Sequence, residues 1–238
     1  MADFRYSLFC PLARAAEVLG NRWSVLILRE LMVGPQRFSD LKRRLGGVSP
    51  SVLAERLSAM EGLGLIAPDE LPPPAASRVY RLTPRGESAR PLLRELARFG
   101  LHWLGAREAG DHFEPDWLRV SLEAFAVPGP TPAYRYEIEV LTGSARLRLR
   151  FGGGPEGFHF LDDTGDVDAA IRAAPEPLLG LLIGALSPDE ARRAGASVEG
   201  DAAALGALPG LFEFSPELPS SSRAQTTGEK ATGQGANP

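Results

Sequence analysis

The sequence predicts an α+β chain in two parts: a helical first part closed by a short hairpin, and a second part built on paired strands with helices. Three observations carry this. Residues 38–66, FSDLKRRLGGVSPSVLAERLSAMEGLGLI, read as two helices joined by a glycine turn. Residues 134–151 alternate apolar and charged side chains with a period of two, the mark of half-buried strands. Charge divides along the same line. Residues 1–110 hold 16 Lys/Arg and 11 Asp/Glu, a balance of +5, whereas residues 111–238 hold 10 and 19, a balance of −9. A basic half suits a polyanion and an acidic half is repelled by one, so the second part is expected to point away from any nucleic acid.

A chain of 238 residues accommodates two domains of ordinary size. The expected division is 1–110, a linker over 111–133, a second domain over 134–216 and a disordered tail over 217–238, which lacks apolar residues to bury. No apolar run approaches a membrane span and no secretory start is evident, so a cytoplasmic protein without a membrane partner is expected. One cysteine excludes an intramolecular disulfide framework and fits a reducing compartment.

Taken in order, Pro11 opens a helix that Gly20-Asn21 ends near Leu19. Residues 22–33 are apolar almost all round, as befits a central buried helix, and Gly34-Pro35 stops it. Ser39 is the expected cap of the next helix, with Leu41 and Leu45 on one face. Gly46-Gly47 supplies the positive φ of a tight turn. Ser49 caps the second helix of the pair and Pro50 sits in its first turn, where a missing N–H costs nothing. Leu53, Leu57 and Met60 form its inner face. Two short strands follow, over 65–67 and 79–82, around a proline-rich loop. Helix, helix, turn, helix, strand, loop, strand is the order of a winged helix-turn-helix domain, whose second motif helix enters the DNA major groove. A long helix over about 85–106 completes the domain. Leu92, Leu96, Phe99 and Trp103 recur along it at coiled-coil-like spacing, which favours a dimer partner, with packing on the second domain as the alternative.

The motifs of this part resemble those of the HxlR-type winged-helix transcriptional regulators over about residues 7–108. The resemblance is carried by Cys10-Pro11-Leu12, Val18-Leu19-Gly20-Asn21-Arg22-Trp23, Ile27-Leu28-Arg29-Glu30-Leu31 and Arg37-Phe38-Ser39-Asp40-Leu41. Further matches are Val48 to Leu57, Glu61 to Ile66, and Tyr80-Arg81-Leu82-Thr83-Pro84-Arg85-Gly86. It implies a dimeric repressor or activator acting on an operator in double-stranded DNA. The candidate DNA contacts are Arg37, Ser39, Lys42, Arg43, Ser49, Pro50, Ser51, Glu55, Arg56 and Arg78, with Arg44 beside them. Ser49 stands at a helix N-terminus, where backbone N–H groups favour phosphate. Arg56 is the leading candidate for a base-edge or phosphate contact, with a surface salt bridge as the alternative. Relatives often carry Lys or Arg where this chain has Ser51 and Ser58, and Glu55 faces the same way. That shifts the expected grip toward residues 37–44 and Arg78. In this family a cysteine at the place of Cys10 is often a redox or electrophile sensor. A thiolate near a helix N-terminus is stabilised, while a buried, inert thiol is the plainer alternative.

In the second part, Trp117, Leu118 and Leu122 suggest a short docking helix within the linker. Tyr134 to Val140 and Arg146 to Phe151 form a hairpin, and a turn at Thr142-Gly143 would set Glu139 opposite Arg146 and Glu137 opposite Arg148. Phe158 and Phe160 mark a third strand. Helices are expected over 166–174, 176–186 and 188–194, then a strand over 196–199 and a last helix from Asp201. Asp162, Asp163, Asp166 and Asp168 lack the spacing of a calcium loop, so no metal is expected. With Asp168-Ala169-Ala170-Ile171, Leu178 to Gly184, Pro188-Asp189-Glu190-Ala191 and Val198-Glu199-Gly200-Asp201, this part is similar to the sterol-carrier-protein-like fold over about 134–214. That resemblance implies a cavity for a hydrophobic small-molecule effector. Its candidate lining is Phe158, Phe160, Leu178, Leu182, Ile183, Leu205 and Phe212, although for any single one of them ordinary core packing is the plainer reading.

Two functional readings follow. One is a DNA-binding transcriptional regulator, a homodimer modulated by such an effector. The other is a lipid or small-molecule carrier that uses its winged helix only to dimerise. An enzyme is not expected, because His102, His112 and His159 are scattered and no nucleophile, metal or nucleotide motif accompanies them. No cofactor is expected either.

Overall fold

The structure, a computed structural model, describes residues 6–72, 77–101, 103–104, 110–143 and 145–214. Part of the proline-rich wing loop (73–76), the end of the expected long helix (102 and 105–106) and the tail from 217 lie outside the described residues. No helix among the described residues is long and apolar enough to cross a membrane.

The first part contains α1 (Pro11–Leu19), α2 (Ser24–Val33), α3 (Phe38–Leu45) and α4 (Pro50–Gly62). An antiparallel pair follows, β1 (Ile66–Glu70) and β2 (Arg78–Leu82). Then come α5 (Pro84–Glu87) and α6 (Arg90–Leu101). The core is what the periodicity requires. Ile27, Leu28 and Leu31 of α2, Leu41 of α3, and Leu53, Leu57 and Met60 of α4 are buried together with Ile66 and Leu82. The α3–α4 turn is made by Gly46 and Gly47, at φ of 54° and 66°. A side chain at either position would strain the turn.

Two expectations are corrected here. Helix α3 begins two residues earlier than a Ser39 cap allows: Arg37 occupies the cap position, without a side-chain bond, and Ser39 lies inside the first turn. The expected long helix over 85–106 is broken into α5 and α6. Pro91 is the physical reason, because in a continuous helix it would lack the N–H for Glu87 and its ring would clash with that carbonyl. In the second turn of neither helix, but in the first turn of α6, it costs nothing. Gly86 also leaves no room for a side chain, since an added Cβ would lie 2.0 Å from the Leu65 carbonyl oxygen.

The stretch expected as a linker contains α7 (Trp117–Phe125), which packs against α2 and α6. Its Val120 belongs to the first core, while Leu122, Ala124 and Phe125 belong to the second. Ala97 and Leu101 of α6 also rest on the second core. The two parts are thus joined by packed helices.

The second part is a five-stranded sheet in the order β5-β4-β3-β6-β7. Its strands are β3 (Arg135–Thr142), β4 (Ala145–Gly152), β5 (His159–Phe160), β6 (Ala169–Ala173) and β7 (Ser197–Gly200). Only β3 and β6 run parallel; the other neighbours are antiparallel. Between β6 and β7 come α8 (Pro175–Leu182) and α9 (Pro188–Arg193), and α10 (Ala202–Ala207) follows β7. Residues 169–173 are therefore a strand, not the helix expected over 166–174. Ala169, Ile171 and Ala173 face the core while Ala170 and Arg172 do not, so period two prevails over alanine's helical preference. The hairpin register is also displaced by two residues from expectation: Glu139 faces Arg148 and Glu137 faces Arg150. Glu137 lies 3.6 Å from Arg148 and 3.4 Å from Arg150, and Glu139 pairs with Arg172 of β6 at 2.5 Å. Arg148 and Arg150 of β4 are thus paired with a carboxylate of their own sheet.

Candidate nucleic-acid interface

Helix α4 owes its position to its apolar face, which is buried in the first core and leaves Ser49, Pro50, Ser51 and Glu55 exposed. Its N-terminus is capped locally: the Val52 N–H donates to Ser49 Oγ at 3.2 Å. Ser49 and Ser51 hydroxyls lie 3.1 Å apart, so the first turn presents a small polar cluster beside free backbone N–H groups. Arg56 is half-buried and donates to Glu55 at 2.8 Å. It is the cation of this face, held by a neighbour that a phosphate would have to displace.

The flanking residues sit on a braced scaffold. Gln36 and Tyr80 exchange backbone bonds of 3.0 and 2.8 Å, tying the α2–α3 loop to the wing strand β2. This sets exposed Arg37 and Ser39 next to the base of the wing. Arg78 is exposed at the start of β2, with its guanidinium 5.9 Å from the Tyr80 ring centre. Lys42 is half-buried on α3.

Arg43 and Arg44 differ sharply. Arg43 is 61% exposed, and its Nη1 donates to Glu114 at 3.0 Å. Arg44, expected to serve backbone phosphates, is only 6% exposed and is turned into the protein. Its Nε donates to fully buried Glu30 at 2.6 Å, and its Nη1 donates to Asp116 at 2.8 Å and Glu114 at 3.2 Å. Burial opposes its charge, yet the bonds to Glu30 and Asp116 outweigh burial and raise its pKa above the ordinary arginine value. Glu30 also accepts from the Trp117 indole N–H at 2.7 Å, and the Arg29 guanidinium lies 3.8 Å over the Trp117 ring. His112 lies 2.8 Å from Glu114. Sequence reasoning did not single out Glu30, Glu114 or Asp116. Arg44 lies 14 to 72 residues from them in sequence, and no local period signals such a cluster. The one available signal was a glutamate inside the otherwise apolar run of α2, which has to find a cation once that helix is buried.

Cys10 occupies the cap position of α1 and is half-buried. Six of the seven apolar candidates of the second part are packed among themselves and the core. Phe158 lies 5.1 to 5.5 Å, ring centre to ring centre, from Phe151, Phe160 and Phe212. Leu178, Leu182 and Leu205 are buried core residues, whereas Ile183 is exposed. Clefts of about 610 and 490 Å³ open elsewhere on the described surface, and neither is lined by any of the seven.

Comparison with known proteins places these features in a context. The family model for HxlR-like helix-turn-helix proteins matches residues 18–108. The HTH-type transcriptional regulator YvaP of Bacillus subtilis, itself uncharacterised, is 34% identical over 99 residues, which is 41% of this chain and 92% of its own length. An uncharacterised HTH-type transcriptional regulator of Synechocystis is 36% identical over 101 residues, 42% of this chain and 75% of its own. Among solved structures, the reduced form of the transcriptional regulator YodB from B. subtilis is 28% identical, with a TM-score of 0.36, and the match covers 42% of this chain and all of that one. The family match ends at residue 108 and leaves the second part to its own geometry.

Proposed function

Because this chain belongs to the HxlR-like helix-turn-helix family of transcriptional regulators, we propose that it acts as a homodimer that reads an operator in double-stranded DNA through α4. The observation that carries the reading is the division of α4 into two faces. Leu53, Leu57 and Met60 are buried, and Ser49, Ser51 and Glu55 are exposed, with Arg56 at the flank. A helix used only as core would have no cause to present a capped polar N-terminus beside Arg37, Arg43 and Arg78. The grip is shared: α4 supplies polar contacts in the groove, and the flanking arginines supply phosphate contacts.

Dimerisation is supported by the outer face of α6. Leu92 and Leu96 are exposed together with Phe99 and Trp103, which are 63% and 70% exposed, while Leu93 and Leu101 face inward. Leu8, Phe9 and Leu12 around the start of α1 are exposed as well. Burying such apolar area against a second copy is favourable by about 25 cal/mol per Å².

The second part is read as a sterol-carrier-like regulatory domain for a hydrophobic small molecule. The support is its order of three antiparallel strands, a strand parallel to the first, helices and a last antiparallel strand. In the packing described, Phe158, Phe160 and Phe212 lie ring against ring on the core, so a ligand lodged among them requires the half-buried Phe158 and Phe160 to swing aside. Cys10 is a second candidate input, and a Cys10→Ser protein that keeps an unaltered peroxide response would remove it.

The test is selection of genomic fragments by the purified full-length protein, with mass spectrometry of co-purifying molecules. Enrichment of one sequence, lost in Arg56→Ala, supports the reading. Ligand recovery without any sequence enrichment would instead favour a carrier that dimerises through its winged helix.

A further inference from the structure

We propose that the cleft between the first part and the bridging helix α7 is a binding site for a small oxyanion, the carboxylate or phosphate group of an organic effector. The cleft holds about 610 Å³, within the range of small-molecule sites. It is walled by the end of α2, the wing strand β2, helices α5 and α6, and α7. Its charged lining is Arg81, Arg90, Arg94 and Arg119 against Glu87 and Glu123, an excess of guanidinium over carboxylate.

The carboxylates satisfy only part of this lining. Glu87 is taken by Arg90. Glu123 accepts from Arg94 at 3.0 Å and lies 4.0 Å from Arg90. Arg81 is drawn to Asp69 at 3.0 Å. Arg94 Nε is buried with no hydrogen-bond partner. A buried donor left in this state is destabilising, and an acceptor in the cleft would relieve it once the Arg94 side chain turns toward it. Arg119 lies 4.1 Å over the Phe160 ring, and among the described residues its guanidinium makes no hydrogen bond or ion pair. Arg119 on α7 keeps its guanidinium donors uncommitted, Arg94 on the neighbouring α6 holds one unpartnered Nε beside the cleft, and a planar guanidinium suits a two-oxygen anion.

The placement adds a consequence. One ligand in this cleft touches the wing base through Arg81, the proposed dimer helix through Arg90 and Arg94, and the bridging helix through Arg119. It is a different place from the apolar positions of the second part, although Arg119 stacks on one of them, Phe160.

The experiment is calorimetric titration of the full-length protein with sodium phosphate and, separately, sodium benzoate, at ionic strength held constant with chloride. Saturable binding of at least one of them is expected. Arg94→Ala and Arg119→Ala should each weaken it by roughly tenfold or more, the scale of one hydrogen bond to a charged group. Arg146→Ala, on the hairpin, should leave it unchanged. A response to phosphate alone identifies a phosphate site, and a response to benzoate alone identifies a carboxylate site. Absence of saturable binding by both, or an equal loss in Arg146→Ala, would overturn the proposal. Arg119→Ala breaks no ion pair, so it keeps the test valid should Arg94→Ala fail to fold. The titration contains no DNA, so its failure leaves the regulator reading standing, and the reverse also holds.

Discussion

At the residue scale, adjacent arginines on one helix have opposite fates. Arg43 keeps its head in solvent and bonds Glu114, while Arg44 is buried among Glu30, Glu114 and Asp116. In sequence they are indistinguishable, two cations at the end of an amphipathic helix. What separates them is which side of α3 the later segment 114–117 crosses, and that is fixed by tertiary packing. Removing one partner of a buried ion cluster leaves an uncompensated charge. Arg44→Ala is therefore expected to lower stability by about 3–5 kcal/mol, read as a lower urea midpoint with the slope unchanged. Arg43 carries a different prediction. Glu114 competes with phosphate for it, so Glu114→Gln should tighten DNA binding and steepen the salt dependence by about one unit in log K against log salt. An unchanged slope would mean that Arg43 does not reach DNA. The contacts of Ser49 and the inner face of α4 were legible, because capping and helical period are local properties.

At the element scale, the helices and the wing strands follow from periodicity and from Gly and Pro, but three elements needed the fold to decide them. Pro91 was readable as a breaker of the long helix, yet the seam spacing of Leu92, Leu96, Phe99 and Trp103 argued for continuity. Strand β6 is alanine-rich and takes its identity from burial beside β3. The hairpin register depends on where the chain turns, and a shift of two residues keeps every side chain on its face, so alternation alone is blind to it. Helix α7 joins both cores, and this gives it a measurable weight. Leu122 is fully buried, and Leu122→Ala is expected to cost about 2–5 kcal/mol, seen as a lower thermal midpoint of the whole chain. Val120→Ala, on the side of α7 that faces the first core, should lower the same midpoint, and a Val120→Ala protein with an unchanged midpoint would contradict the packing of α7 against both. Helix α6 offers the complementary test. Leu96→Glu places a charge in the proposed seam and should shift the protein from dimer to monomer in sedimentation, with folded-state spectra retained.

At the scale of the whole molecule, the basic part carries the helix-turn-helix, and the acidic part is joined to it through α7 and the Glu30–Arg44–Asp116 cluster. A dimer formed along α6 would present two copies of α4. In winged-helix and other helix-turn-helix dimers the two reading helices reach half-sites about one DNA turn apart, roughly 34–36 Å. The architecture of the first part was legible because its motifs are short and strongly patterned. The interface between the parts was not, because it is made of single charged residues distant in sequence. The most direct measurement is a hydroxyl-radical footprint of the full-length protein on a selected genomic fragment. Two protected patches about ten base pairs apart on one face of the duplex, both lost with Leu96→Glu, are the predicted result. A single short patch that persists in that variant, or uniform protection along the fragment, would contradict a dimer that reads DNA with two copies of α4.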